Sequence, residues 1–254
     1  MFLSNRQNQI LDLMKRHGQV TVDDLVDEFD VTPQTIRTDL NELSKAKKLI
    51  RVHGGARLLD GHVNVEYEAR RQIAASQKVL IGEAAAAVIP DNASLFINIG
   101  TTTEAFSDAL INHKGLMVIT NNINVASRLR LNQENEVIIS GGVVRSSDGG
   151  VVGEAAVDFI KNFKVDYAII GSSAIDSDGS LLDFDFREVK VAQAIIDNAR
   201  HVILVADSTK FERNAPVRIG HISQVDTLVI DEFFDEEFRQ VCDESEVEVI
   251  EVNN

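Results

Sequence analysis

Two groups of polar residues in this chain have the types and spacing to do chemistry. The first lies between Thr32 and Arg57. Thr32 can cap a helix, and Pro33 suits its first turn, where a missing N–H costs nothing. Ile36, Leu40 and Leu43 then share one face at helical spacing. Gln34, Thr35, Arg37, Thr38, Asn41 and Lys45 lie off that face, and these are side chains that reach base edges and phosphates. Lys48, Arg51, His53, Gly54 and Arg57 follow, suited to phosphate. The second group is a set of short polar, glycine-containing or hydroxyl-rich loops, each directly after an apolar run: Gly100-Thr101-Thr102-Thr103, Thr120-Asn121-Asn122, Ser140-Gly141-Gly142, Gly171-Ser172-Ser173 and Asp207-Ser208-Thr209-Lys210. Such residues at a strand-to-helix turn expose backbone N–H groups at a helix N-terminus, which favours a bound anion.

Charge separates the two groups. The 254 residues carry a net charge of −15. Residues 1–57 hold nine Lys/Arg and eight Asp/Glu, whereas residues 34–57 alone hold six against two. The acidic remainder repels nucleic acid, which leaves 34–57 as the docking surface.

The elements that must position these residues are legible. Residues 5–17 read as a helix, with Gly18 as a stop, and Val22 to Phe29 as a second helix opened by Thr21 and Asp24. Residues 33–46 form the third, followed by a strand at 49–53 and a Gly54-Gly55 turn. Together they make a winged helix-turn-helix over 1–57. Residues 58–75 lack periodicity and read as a linker. From 76 to 254 apolar strands (94–99, 116–119, 136–139, 166–170, 201–205, 226–230, 247–250) alternate with helical stretches at 104–111, 123–131, 153–162, 187–198 and 234–242. This pattern predicts an α/β domain with a doubly wound parallel sheet, whose strand carboxyl ends gather the polar loops on one edge. Arg145 and Lys210 are candidate phosphate ligands there. Around Asp183-Phe-Asp-Phe-Arg187-Glu-Val-Lys190 two readings stay open: acids at a helix start, or Asp183, Arg187 and Lys190 as ligand contacts.

Other chemistry is missing. There is no phosphate-binding Gly-x-x-x-x-Gly-Lys motif, no Gly-x-Ser-x-Gly and no His-Glu-x-x-His. Six scattered histidines and the single Cys242 offer no metal spacing. No apolar run reaches the ~18 residues of a membrane span, and lone-cysteine usage suits a cytoplasmic protein. No catalytic residue, metal or cofactor is expected.

The residues just quoted resemble the DeoR family of bacterial transcriptional repressors. The likeness rests on Val31-Thr-Pro-Gln-Thr-Ile-Arg-Thr-Asp-Leu, His53-Gly54-Gly55-Ala56, Ile99-Gly-Thr-Thr-Thr, Thr120-Asn-Asn and Val205-Ala-Asp-Ser-Thr-Lys-Phe. It implies a homo-oligomer, dimer or tetramer, released from double-stranded operator DNA by a small phosphorylated metabolite. Within the family, Ser147-Asp-Gly-Gly-Val-Val-Gly-Glu-Ala, Ile175-Asp-Ser-Asp-Gly-Ser-Leu-Leu-Asp-Phe-Asp and Arg213-Asn-Ala-Pro-Val are similar to the branch governing glycerol metabolism. That makes sn-glycerol 3-phosphate the implied effector, with a related sugar phosphate as the alternative. The resemblance also implies a sensor domain like ribose-5-phosphate isomerase. Those enzymes carry catalytic aspartates in a Gly-Ala-Asp motif, and the matching Ile170-Gly171-Ser172-Ser173 has none. Glu188 matches an enzyme glutamate, but alone it is poor proton-transfer machinery. An active isomerase with a DNA-binding head is the rival reading.

Overall fold

The computed structural model describes residues 3–17, 19–46, 48–52, 54–58, 67–233 and 236–252, with backbone only at 15–17, 19, 57 and 58. The chain divides into two compact units, Met1–Ile73 and Ala74–Asn254.

In the first unit the order is α1 (Asn5–His17), β1 (Gln19–Thr21), α2 (Val22–Phe29), α3 (Pro33–Lys45), β2 (Leu49–Val52), β3 (Gly55–Leu58) and α4 (Tyr67–Gln72). Thr21 and Thr32 cap α2 and α3, accepting from the backbone N–H of Asp24 and Thr35, which satisfies donors the helices cannot. Ile10, Met14, Leu25, Ile36, Leu40 and Leu43 close one buried core. Each such side chain contributes roughly 1.5–3 kcal/mol by leaving water. The three strands form an antiparallel sheet in the order β1-β3-β2. Gly54 turns the wing at φ +76°, and a Cβ on Gly55 would stand 2.1 Å from the Val20 carbonyl oxygen. Both glycines are therefore required by the backbone. Three elements here exceed the sequence expectation: β1 and β3 complete the wing sheet, and α4 occupies part of the 58–75 segment that reads as linker.

The second unit runs α5 (Ala75–Ala87), β4 (Ser94–Ile97), α6 (Thr101–Ala109), β5 (Met117–Thr120), α7 (Ile123–Leu129), β6 (Glu136–Ile139), β7 (Val143–Val144), β8 (Val151–Val152), α8 (Glu154–Ile160), β9 (Val165–Ile170), β10 (Ala174–Ile175) and β11 (Ser180–Asp183). It continues with α9 (Phe186–Asp197), β12 (Ala199–Ala206), β13 (Val217–His221), β14 (Thr227–Ile230), α10 (Glu236–Glu244) and β15 (Glu248–Glu251). All seven strands foreseen from apolar runs form one sheet, order β15-β14-β12-β9-β4-β5-β6, and every pair is parallel. Helices cover both faces: α5, α6 and α7 pack on one core, and α8, α9 and α10 on the other.

The chain starts at central β4, steps outward through β5 and β6, then returns to the far side of β4 at β9. The strand order thus reverses between β4 and β9, and that point opens a crevice at the carboxyl ends. Helix α5 is pressed onto α6, since a Cβ on Gly82 would lie 2.7 Å from the Ala105 backbone carbon. The close approach holds the first turn of α5 at the same edge as the first turn of α6.

Candidate functional site

In the first unit α3 has two distinct sides. Ile36, Leu40 and Leu43 are fully buried. Gln34, Arg37, Thr38, Asn41 and Lys45 are all exposed, at offsets that make one continuous outer face. Thr32 is exposed and its hydroxyl meets that of Thr35 at 2.9 Å, so both are engaged in the cap. Buried Asp39 anchors the helix from below, accepting from Arg6 Nε at 2.6 Å and Gln7 Nε2 at 3.3 Å, while Gln7 also donates to Glu42 at 2.7 Å. These bonds fix which side of α3 turns outward. Lys48 is exposed just before the wing, and Arg51 sits half-buried on β2 with one terminal nitrogen lacking a hydrogen-bond partner. Gly54 is exposed at the wing tip; His53 and the side chain of Arg57 lie outside the described residues.

In the second unit the structure gathers most of the predicted loops at the β4–β9 crevice. Gly100 precedes α6 with no side-chain cap, so the leading N–H groups of Thr101, Thr102 and Thr103 carry the helix's positive end. The Thr103 hydroxyl turns away, donating to the Asn98 and Gly100 carbonyls. Buried Glu104 accepts from Asn122 and Asn124 at 3.1 and 2.9 Å and pairs with Arg128 at 3.2 Å, tying α6 to the loop after β5.

The charged centre of this edge is a trio. Asp207, at the end of β12, has Lys78 Nζ at 4.0 Å and Lys210 Nζ at 3.9 Å, and none of the three side chains is more than 9% exposed. Burial pushes the Asp207 carboxyl up, but the Lys210 and Lys78 ammonium groups, with the Thr209 hydroxyl, outweigh it and hold the pKa below the usual range. The trio thus gathers two lysine ammonium groups and one carboxylate beside the start of α6, a cationic setting that favours an anion at a helix N-terminus.

Arg145 is placed otherwise. It makes a two-pronged bond to Asp148 (2.8 and 2.6 Å) and reaches Asp185 at 3.2 Å and Glu188 at 2.5 Å. Burial works against its charge, yet the Asp148 and Glu188 contacts raise its pKa above the ordinary value. Three carboxylates around one guanidinium disfavour a further anion, so this cluster is a clasp between the loop before β8 and the start of α9. Asp185 caps α9 by accepting from the Arg187 N–H. Arg187 is half exposed and pairs with Asp185 at 2.7 Å. Lys190, Gly141 and Gly142 are exposed. Asp183 accepts from the Ser173 hydroxyl at 2.9 Å and from the Phe184 N–H. The structure thus brings Gly100–Thr103, Asn121, Ser172 and Lys210 to one edge and leaves Arg187, Lys190 and the Gly141-Gly142 turn on the surface.

Sequence reasoning missed Lys78 and Asn98, and placed Ser140 in a strand-end loop without singling it out. Lys78 shares the buried stripe of α5 with Ile81, Gly82, Ala85 and Ala86, and a lysine on such a stripe is the signal that would have found it. Among the described residues no group of His, Cys, Asp or Glu could hold a metal, and no helix is long and apolar enough to cross a membrane.

Comparisons with known proteins agree along the chain. A model of the DeoR-like helix-turn-helix domain matches residues 6–62, and one of the DeoR C terminal sensor domain matches residues 73–232. The chain is 48% identical over 228 residues to the glycerol-3-phosphate regulon repressor of Escherichia coli, covering 90% of each. It is 46% identical over 225 residues to the protein of the same name in Haemophilus influenzae, covering 89% of this chain and 88% of that one. Among solved structures, ribose 5 phosphate isomerase A from Neisseria gonorrhoeae overlays 54% of this chain and 53% of its own at 13% identity and a TM-score of 0.39.

The clasp has a pH signature. Hydrogen bonds from Arg187, joined by one from Arg145, lower Asp185 from 3.8 to about 2 against the opposing effect of burial. A depressed carboxylate stabilises the fold above its unfolded pKa and loses that contribution as pH falls through the folded value. Urea midpoints followed from pH ~5 down to pH ~2 should show Asp185→Asn losing less than wild type, by about 2 kcal/mol. Parallel curves for the two proteins would show that Asp185 is not held in this way.

Proposed function

The chain belongs to the DeoR family of DNA-binding transcriptional repressors, and from that premise we propose that its strand-end crevice binds sn-glycerol 3-phosphate, which releases the protein from operator DNA. It is a repressor rather than an enzyme, in keeping with its named relatives. The observation that carries the effector reading is the buried trio of Lys78, Asp207 and Lys210 beside the uncapped start of α6. Its two ammonium groups beside a helix N-terminus suit a phosphate, whereas Arg145 is already ringed by carboxylates. The names of the relatives direct the choice among phosphorylated metabolites to glycerol 3-phosphate, and with it to control of glycerol metabolism.

On the DNA side, α3 enters the major groove. Gln34, Thr35, Arg37, Thr38 and Asn41 read bases and nearby phosphates, and Thr32, Lys45, Lys48, Arg51, His53, Gly54 and Arg57 set register on the backbone. One winged helix reads few base pairs, so the working form is a homo-oligomer, a dimer or tetramer, in the cytoplasm. The effector must bind the DNA-free arrangement more tightly. Lys78 stands one helical turn after the boundary at Ile73 and Ala74, and its N–H donates to the Ala74 carbonyl at 2.9 Å. A phosphate drawn to Lys78 thereby acts on the segment that joins the two units.

Two outcomes follow. Arg37→Ala should cost about 1–3 kcal/mol of specific affinity, while Lys48→Ala should weaken operator and random DNA alike and reduce the salt slope by roughly one. Fluorescence anisotropy across a salt series reads both, and unchanged operator preference in Arg37→Ala would remove α3 from the groove. In the same assay sn-glycerol 3-phosphate, at about millimolar concentration or below, should release the operator where glycerol does not. Retention of the complex throughout would reject this effector.

A further inference from the structure

We infer that Asn98, Asn121 and Ser140 form a row that reads the hydroxyl groups of the effector, and so decide which phosphorylated compound the sensor accepts. The inference rests on the proposed phosphate-binding role of the same edge.

Parallel registry pairs Ile97 with Thr120, and Thr120 with Ile139. The next residue on each strand is Asn98, Asn121 and Ser140, and the ladder continues through the Ser140 N–H to the Thr120 carbonyl at 2.9 Å. Neighbouring strands lie about 4.8 Å apart, and residues in registry point to the same face. Phe96 and Ile119, two positions earlier, belong to the core under α8 and α9. The three polar side chains therefore continue that face past the end of the apolar layer.

Each carries a buried oxygen without a hydrogen-bond partner: Asn98 Oδ1, Asn121 Oδ1 and Ser140 Oγ. The residues are 2%, 1% and 4% exposed. Buried polar atoms are nearly always paired in native proteins, and an exception asks for a ligand. Three exceptions at the ends of adjacent strands, running outward from the point where the sheet reverses, constitute a built site. A fourth, Ser172 Oγ, lies across β4 after β9. The Asn121 amide is held in orientation, because its Nδ2 donates to the Val151 carbonyl at 3.2 Å and leaves Oδ1 turned inward.

The chemistry of these atoms selects the occupant. Amide oxygens only accept, so they need a donor. A phosphate dianion has no proton to donate and is drawn instead to the lysine trio and the start of α6. Alcohol O–H groups are neutral donors, and they suit a row that carries no charge. The ligand class is thus a phosphate monoester with free hydroxyls at the end away from phosphorus. An ester lacking those hydroxyls leaves the acceptors unpaired, which is how sites built for an O–H reject its deoxy analogue.

Calorimetry on the full chain tests this with two probes, sn-glycerol 3-phosphate and n-propyl phosphate. Wild type should bind the first at least about tenfold more tightly, as expected for two or more lost hydrogen bonds. Asn98→Ala and Ser140→Ala should each erode that preference by weakening glycerol 3-phosphate while leaving propyl phosphate within about threefold. Ser140 lies at the end of the edge strand β6, so its variant keeps the test alive should Asn98→Ala fail to fold. Equal binding of the two esters by wild type, or equal weakening of both in the variants, would overturn the hydroxyl row while leaving the phosphate site standing. Binding of neither ester would overturn both readings.

Discussion

The proposed effector site depends on one electrostatic grouping. Asp207 lies buried between Lys78 and Lys210, with both ammonium groups about 4 Å from its carboxylate. Neither lysine is within hydrogen-bond distance of Asp207 Oδ2. The two ammonium groups hold the Asp207 carboxyl below its usual range against the effect of burial. The supports are mechanical: the Gly82 contact holds α5 against α6, and the sheet order delivers Asp207 to the same edge. Polarity then divides the edge. Cations and helix dipole lie at one side, neutral acceptors at the other, and the carboxylate-filled Arg145 clasp closes the loop before β8 onto α9.

The DNA-binding unit follows a different rule, in which one helix is shared between core and ligand. Leu40 and Leu43 spend their area on the core, while Arg37 and Asn41 spend none. Asp39 supplies the angular reference, since its bonds to Arg6 and Gln7 allow one rotation of α3. A chain this acidic elsewhere makes that face the natural place for a polyanion.

Much of this was legible in the amino-acid sequence, for identifiable reasons. Long buried strands write themselves as apolar runs, and all seven sheet strands were visible so. Capped helices announce themselves through residues such as Thr21, Thr32 and Pro33. Short elements escaped: β7 and β8 have two residues each, and α4 buries only Ala69, so none of the three shows a period. The hairpin between β10 and β11 was marked by Asp178-Gly179, with Gly179 at φ +88°, yet was read only as part of a longer motif. The site was half legible. Loop composition placed Gly100–Thr103, Asn121, Ser172 and Lys210 at the strand-end edge where they stand, because strand ends are local. Lys78 comes from a helix that precedes the sheet, and only the fold brings it to Asp207. Arg145 shows the reverse, since its three carboxylate partners include two from 40 residues or more away.

The central claim is that the lysine pair of this trio is what holds the effector. Calorimetric titration of sn-glycerol 3-phosphate into wild type, Lys78→Met and Lys78→Arg measures it directly. Lys78→Met leaves Asp207 and Lys210 balanced, so affinity should fall by tenfold or more, about 1.4 kcal/mol or greater, with Lys78→Arg retaining part of it. Wild-type affinity in a folded Lys78→Met protein would contradict the account.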